Sequence, residues 1–183
     1  MEADTAIPNK NMLICPSVSS GPWTPEDIWN TGFINDYSDH LYALSVEQYV
    51  ILIPLSLSTV SHITLKKKSY PNNNCVAQFA ASGPIINPQS IFGSYLTHSA
   101  AVNLVQPYLN STSIAQGVNK PFFMFETNTA SCGGFAGISD TYGAALWAID
   151  YGMQLAYGNF THGLLHTGGQ NAFYNVSVVS FLD

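Results

Sequence analysis

The sequence predicts an α/β fold with a parallel sheet, and three stretches carry that prediction. Phe122-Phe123-Met124-Phe125 is an unbroken apolar run, too short for a helix and the right length for a strand buried on both faces. It stops at one carboxylate, Glu126, then runs through the loop Gly133-Gly134-Phe135-Ala136-Gly137 into a helical pattern from Tyr142 to about Tyr157. The front of the chain repeats the alternation, with a strand-like run at Leu41–Val46 after a helix start at Thr24-Pro25. In parallel α/β folds the carboxyl ends of the strands carry the chemistry. Glu126 is therefore the first candidate.

Taken in order, Met12–Ser17 (MLICPS) is a short apolar run ended by proline, expected as a buried strand. Thr24 reads as an N-cap and Pro25 as the first helical residue, with Glu26 and Asp27 serving the helix dipole. Ile28, Trp29 and Phe33 supply that helix's apolar stripe, and the next strand ends at Glu47-Gln48-Tyr49. A long helical segment lies between Cys75 and Asn119, started by Asn87-Pro88-Gln89, with Pro107 expected to end or kink its second part. Ser139-Asp140 reads as the start of the following helix, which carries Ala144, Ala145, Leu146, Trp147, Ile149 and Leu155, has its aromatics expected in the core and stops at Gly158. Gly163-Leu164-Leu165-His166 is the last expected strand.

With 183 residues the chain is long enough for one ordinary core. A whole (β/α)8 barrel takes about 250. Charged residues make up only 9% and the net charge is −6, which excludes the basic patch of a nucleic-acid binder. Few charges with many Tyr, Asn, Ser and Thr suit a secreted carbohydrate-active protein. There is no Arg, so any recognition of an acidic sugar must use backbone N–H groups, Tyr or Asn. Asn110, Asn159 and Asn175 begin N-glycosylation patterns. Cys75 and Cys132 fall in loops after strands and are expected to pair in an oxidising compartment, with Cys15 a buried thiol. The first residues lack a basic start and an apolar core, so no signal peptide is expected; nor is a membrane span, a metal or a cofactor.

The wording ETNTASCGGFAGISDTYGAALWAIDYGMQLAYGNF, followed by LLHTGGQNAFYN, closely resembles the fungal branch of glycoside hydrolase family 79. The resemblance covers roughly residues 11–49 and 70–175. Those are β-glucuronidase-like, heparanase-related retaining enzymes built on a (β/α)8 TIM barrel with an added β-sandwich. It implies that residues 1–175 hold about the last four β/α units of such a barrel, with the C-terminal β-sandwich absent. It also implies an extracellular hydrolase whose partner is a glucuronide-containing glycan, cut at β-glucuronide or related uronosyl linkages.

Within that resemblance Glu126 matches the nucleophile after the seventh strand, with Tyr70 as a donor that keeps it ionised and Asn128 orienting it. Gly133, Gly134, Gln170 and Tyr174 become candidates for holding the sugar, the glycines through their N–H groups, although such loops are otherwise tight turns. Glu47 is a site neighbour with a structural role, and His166 reads as a core histidine. The family's acid/base stands in an Asn-Glu-Pro context, and this chain has no Asn-Glu-Pro. The expectation is a truncated chain lacking the acid/base half. The alternative is an inactive fragment or a carbohydrate-binding remnant.

Residues 50–69, VILIPLSLSTVSHITLKKKS, interrupt the family's wording Val-Glu-His-Tyr-Pro. With Gln48 read as CAG, the Tyr49 and Val50 codons supply a splice donor and the Ser69 codon an acceptor. Joining them restores Val46-Glu47-His-Tyr70-Pro71. Residues 49–69 are accordingly expected to be a retained intron translated in frame, the alternative being a loop insertion. Residues 176–183 depart from the family in the same way and are expected to be a run-through tail.

Overall fold

The computed structural model describes residues 6, 11–18, 23–49, 87–131, 133–168 and 173–174. The interruption at 50–69, the tail from 176, and the expectations placed on Tyr70, Cys75, Cys132 and Gln170 lie outside the described residues. Among the described residues four strands form one parallel sheet in sequential order: β1 (Leu13–Ile14), β2 (Leu41–Glu47), β3 (Phe122–Thr127) and β4 (His162–Leu165). The helices are α1 (Pro25–Ile28), α2 (Ile34–Tyr37), α3 (Pro88–Tyr95), α4 (His98–Val105), α5 (Leu109–Gly117) and α6 (Tyr142–Tyr157). Helical segments lie between successive strands throughout, as parallel pairing requires.

Two helix starts, at Thr24 and at Asn87, are built from the residues expected to build them. Thr24 caps α1 in a reciprocal box, its hydroxyl accepting from the Asp27 N–H while the Asp27 carboxylate accepts from the Thr24 N–H at 2.7 Å. Asp27 therefore closes the cap. Glu26 instead reaches across to α5, accepting from the Ser111 hydroxyl at 2.5 Å and the Asn110 amide at 3.1 Å. Asn87 caps α3 by accepting from the Gln89 N–H. Pro107 falls in a 3-10 turn, Gln106–Tyr108, that divides α4 from α5, because its ring and missing N–H cannot continue an α-helix.

Several boundaries differ from the sequence reading for identifiable reasons. The cap of α6 is Thr141, because Ser139 and Asp140 spend their side chains in the preceding loop, on the Phe135 and Gly137 N–H groups. Gly158 ends α6 with an ordinary negative φ, and Asn159 takes the left-handed conformation at φ 65°. The strand at 12–17 is only two residues long, and Cys15 is half-buried and free.

One face of the sheet packs against the helices. Leu44, Val46, Phe122 and Met124 are buried there with Trp29, Leu104, Val105, Trp147, Tyr151 and Leu155. Phe122 meets the edge of Trp29 at 5.7 Å and stacks on Phe160 at 4.8 Å. Burying a side chain of that size contributes roughly 1.5–3 kcal/mol, which makes this cluster the main support of β3. At the amino end, the Lys120 ammonium donates to the carbonyls of Ser38 and Leu41 at 2.8 and 2.7 Å, tying the starts of β2 and β3 together. Gly143 allows α3 to lie close on α6, since a Cβ there would sit 2.5 Å from the Phe92 ring.

The apolar run of β3 is not buried along its whole length. Phe122, Phe123 and Met124 are enclosed, but Phe125 is exposed. The register of β2 against β3 explains it: Val46 pairs with Met124 and Glu47 with Glu126, so Phe125 is the extra residue of a bulge. In α6 the aromatics divide: Trp147 and Tyr151 are buried, as expected, and Tyr142 and Tyr157 are exposed. Trp147, Tyr151 and Leu155 face the core, while Leu146 and Ile149 are exposed.

Candidate active site

The bulge places two carboxylates side by side at the carboxyl ends of neighbouring strands. Glu47 and Glu126 are paired positions across β2 and β3. The next residue, Thr127, is fully buried and its hydroxyl donates to the Tyr151 hydroxyl of α6. Successive strand residues alternate faces, so Glu126 stands on the face turned away from the helices. Glu47 accepts from the Ser17 hydroxyl at 2.7 Å, which fixes it toward the β1 side.

Glu126 meets one phenol and one imidazole. The phenol of Tyr49, two residues past β2, donates to its Oε1. His166, one residue past β4, places Nδ1 3.7 Å from the same oxygen. The backbone locks this arrangement from both sides, with the Gln48 N–H on the Glu126 carbonyl and the His166 N–H on the Thr127 carbonyl, each at 2.9 Å. Gln48 is itself held by the Tyr108 hydroxyl at 2.8 Å. Burial first, and the bond to Glu126 second, push the Tyr49 hydroxyl far above the ordinary phenol range. Tyr49 therefore stays a neutral donor at all physiological pH.

Asn128 acts on the histidine. Its amide donates to the His166 carbonyl at 2.7 Å, and its oxygen accepts from the Thr129 N–H at 2.7 Å. The loop that follows is closed by a buried bond between the Thr129 and Ser139 hydroxyls, 2.7 Å, and by the Tyr95 hydroxyl on the Thr129 carbonyl, 2.9 Å. Gly133 and Gly134 both have positive φ, 89° and 92°. At Gly134 a Cβ would lie 2.9 Å from both Ser139 Cβ and Tyr174 Cδ1, so only glycine fits.

Tyr174 gathers the second half of the cluster. Its hydroxyl donates to the Ala130 carbonyl at 2.5 Å, beside the backbone of Gly133 and Gly134, while the Gly134 N–H donates to the Ser131 carbonyl at 3.2 Å. It also contacts the Tyr49 hydroxyl, and its ring meets the His166 ring edge-on at 5.7 Å. Burial raises the Tyr174 hydroxyl above its usual range, partly offset by the glycine backbone. Tyr174 thus joins the glycine loop to Tyr49 and, through it, to Glu126.

Of the residues singled out from sequence, the structure brings together Glu126, Glu47, Gly133, Gly134 and Tyr174. Asn128 joins them through His166. Tyr49 and His166 were not singled out, although each stands just past the carboxyl end of a strand, the same signal that marked Glu126. Among the described residues no three His, Cys, Asp or Glu side chains group to hold a metal, and no helix is long and apolar enough to cross a membrane. A cavity of about 190 Å³ opens on the helix side between α6 and β4, lined by Tyr151, Leu155, Phe160 and Leu165, apart from the Glu126 carboxylate.

No family model and no curated protein matches the chain. A solved glycosidase shares its fold. The crystal structure of a 4-O-α-L-rhamnosyl-β-D-glucuronidase from Fusarium oxysporum 12S, in complex with Rha-GlcA, superposes with a TM-score of 0.62. The match has 21% identity and covers 90% of this chain and 28% of that one. The likeness is one of fold, over little more than a quarter of the solved protein's length.

Proposed function

We propose that this chain carries the nucleophile half of a retaining glycoside hydrolase of family 79, acting on β-glucuronides or related uronosyl linkages. The observation that carries the reading is Glu126, at the carboxyl end of a parallel strand, fixed by the Tyr49 phenol and flanked by His166. A retaining enzyme needs a carboxylate held ionised and aimed, and a phenol that stays protonated supplies a donor without competing for the proton. The fold shared with a solved β-glucuronidase is consistent with that chemistry. On this reading the four strands are the last four of a (β/α)8 barrel.

In the first step Glu126 attacks the anomeric carbon while the bond to the leaving oxygen breaks, and a second carboxylic acid gives that oxygen its proton. Water then cleaves the glycosyl ester, with the second residue acting as base. The two carboxyls stand about 5 Å apart in such enzymes. The Asn-Glu-Pro context of the family's acid does not occur in the 183 residues, and we assign the acid to sequence outside them. Gly133, Gly134 and Tyr174 form the recognition point for the uronate carboxylate, in the loop where both glycines take positive φ beside the Tyr174 ring.

The test uses two proteins: the 183-residue chain and the product of a message spliced across codons 48–70 and extended upstream through the missing strands. The chain is expected to give no measurable release from an aryl β-glucuronide, since loss of general acid catalysis alone costs about 10²–10⁴ in rate. The extended product is expected to turn over. Clear turnover by the chain alone, or none by the extended product, overturns the proposal. Uniformly unspliced transcripts overturn its retained-intron part.

A further inference from the structure

Helix α6 has a second apolar face that the sheet does not use. Gly143, Trp147, Tyr151 and Leu155 point into the core. Tyr142, Leu146, Ile149, Met153 and Tyr157 form another stripe, each between 46% and 82% exposed. At 100° per residue this stripe is centred about 140° around the helix from the buried face. It is also separate from the face of Ala148, Gly152 and Ala156, which lines the groove beside β4. It is therefore neither the edge of the core nor the flank on which a further unit of the sheet would pack.

We propose that this stripe is a self-association surface that packs against the same stripe of a second copy, the two helices antiparallel about a two-fold axis. The order of side chains argues for a second copy over an unrelated partner. Read from either end, the stripe runs tyrosine, unbranched or γ-branched aliphatic, Ile149, the same class again, tyrosine. An antiparallel pair centred between Ile149 and Asp150 sets Tyr142 against Tyr157 at both ends and Leu146 against Met153 inside them. A two-fold interface requires that self-complementarity; a foreign segment does not. The intervals of four, three, four and four residues keep the stripe on one side of the helix, as a helix–helix contact needs.

Area and charge support the same occupant. Five side chains of this size and exposure present on the order of 700 Å², close to the ~800 Å² each partner contributes to a stable interface. Apolar patches above a few hundred Å² are uncommon on monomers. Asp150 is the only charged residue in α6, and its carboxylate is bonded to His98 Nδ1 of α4 at 2.9 Å. No bare carboxylate therefore faces its own copy at the centre of the pair.

Sedimentation equilibrium of the full chain across micromolar concentrations is expected to show a reversible monomer–dimer equilibrium. Ile149→Glu combined with Met153→Glu should weaken it more than about 100-fold while the circular dichroism stays unchanged. The Tyr142→Cys/Tyr157→Cys double variant should form an oxidised dimer above the level set by the native cysteines. Tyr142→Cys alone should not, because its two copies would lie at opposite ends, about 22 Å apart. A strictly monomeric chain, a dimer insensitive to the two glutamates, or crosslinking through Tyr142→Cys alone overturns the proposal.

Discussion

The phenol of Tyr49 donates to the carboxylate of Glu126 across two adjacent parallel strands. Neither residue could be placed by its own segment. Tyr49 reaches the site because β2 runs parallel to β3, and Glu126 turns toward it because the bulge at Phe125 brings it level with Glu47. One irregularity in register thus decides which side chains meet at the end of the sheet.

The first prediction removes that donor. Tyr49→Phe should slow any reaction at Glu126 by roughly tenfold to a hundredfold, the cost of losing a hydrogen bond to a charged group. In this chain Tyr70→Phe should have no such effect. In a message spliced across codons 48–70, Tyr70 would follow residue 48 directly and take the place of Tyr49, so the sensitivity should move to Tyr70. Labelling rates of the four proteins check this.

Alkaline stability gives a second test. Burial raises the hydroxyls of Tyr49, Tyr108, Tyr151 and Tyr174 in the folded chain. A group whose folded value lies above its unfolded value contributes stability that is complete below the unfolded value and is lost as pH rises beyond it. Unfolding free energy should therefore hold up to about pH 10 and fall above it. In a phenolate absorbance titration these tyrosines should ionise late and together with unfolding. Independent ionisation of all ten tyrosines near pH 10 would contradict the burial described.

The bulge in β3 predicts unequal neighbours. Phe122→Ala should cost about 3–5 kcal/mol in a denaturant melt, since it opens a hole between Trp29 and Phe160. Phe125→Ala, at an exposed position, should cost well under half of that. Equal losses would mean that the run is buried throughout.

Gly134→Ala is expected to disturb the loop without dismantling the sheet. The added Cβ meets Ser139 and Tyr174 at 2.9 Å and the positive φ adds strain, together on the order of 1–3 kcal/mol. The observable is a loss of amide protection at Gly133 and Phe135 with β2 and β3 unchanged.

Much of this arrangement was legible in the sequence. The strand at Phe122, the caps at Thr24 and Asn87 and the proline break at Pro107 follow from local chemistry, which one segment carries by itself. The sequence reading expected beside Glu126 a phenol from Tyr70, which lies outside the described residues; the structure puts the Tyr49 phenol there. The exposure of Phe125 and the alliance of Asn128 with His166 were not legible, because both depend on register between strands far apart in the chain. His166 looked like a core residue because its strand is apolar; that strand is instead an exposed edge, with all four of its residues open to solvent.

The most direct test of the central claim, that Glu126 is the nucleophile, is mass spectrometry of the folded chain after incubation with a 2-deoxy-2-fluoro-β-glucuronyl fluoride. Fluoride departs without a general acid, so the trap does not require the missing carboxyl group. The account predicts one added glycosyl group on the peptide from Pro121 to Cys132, at Glu126, and none in Glu126→Gln. Label on Glu47, or an unlabelled chain whose circular dichroism shows it folded, would contradict it.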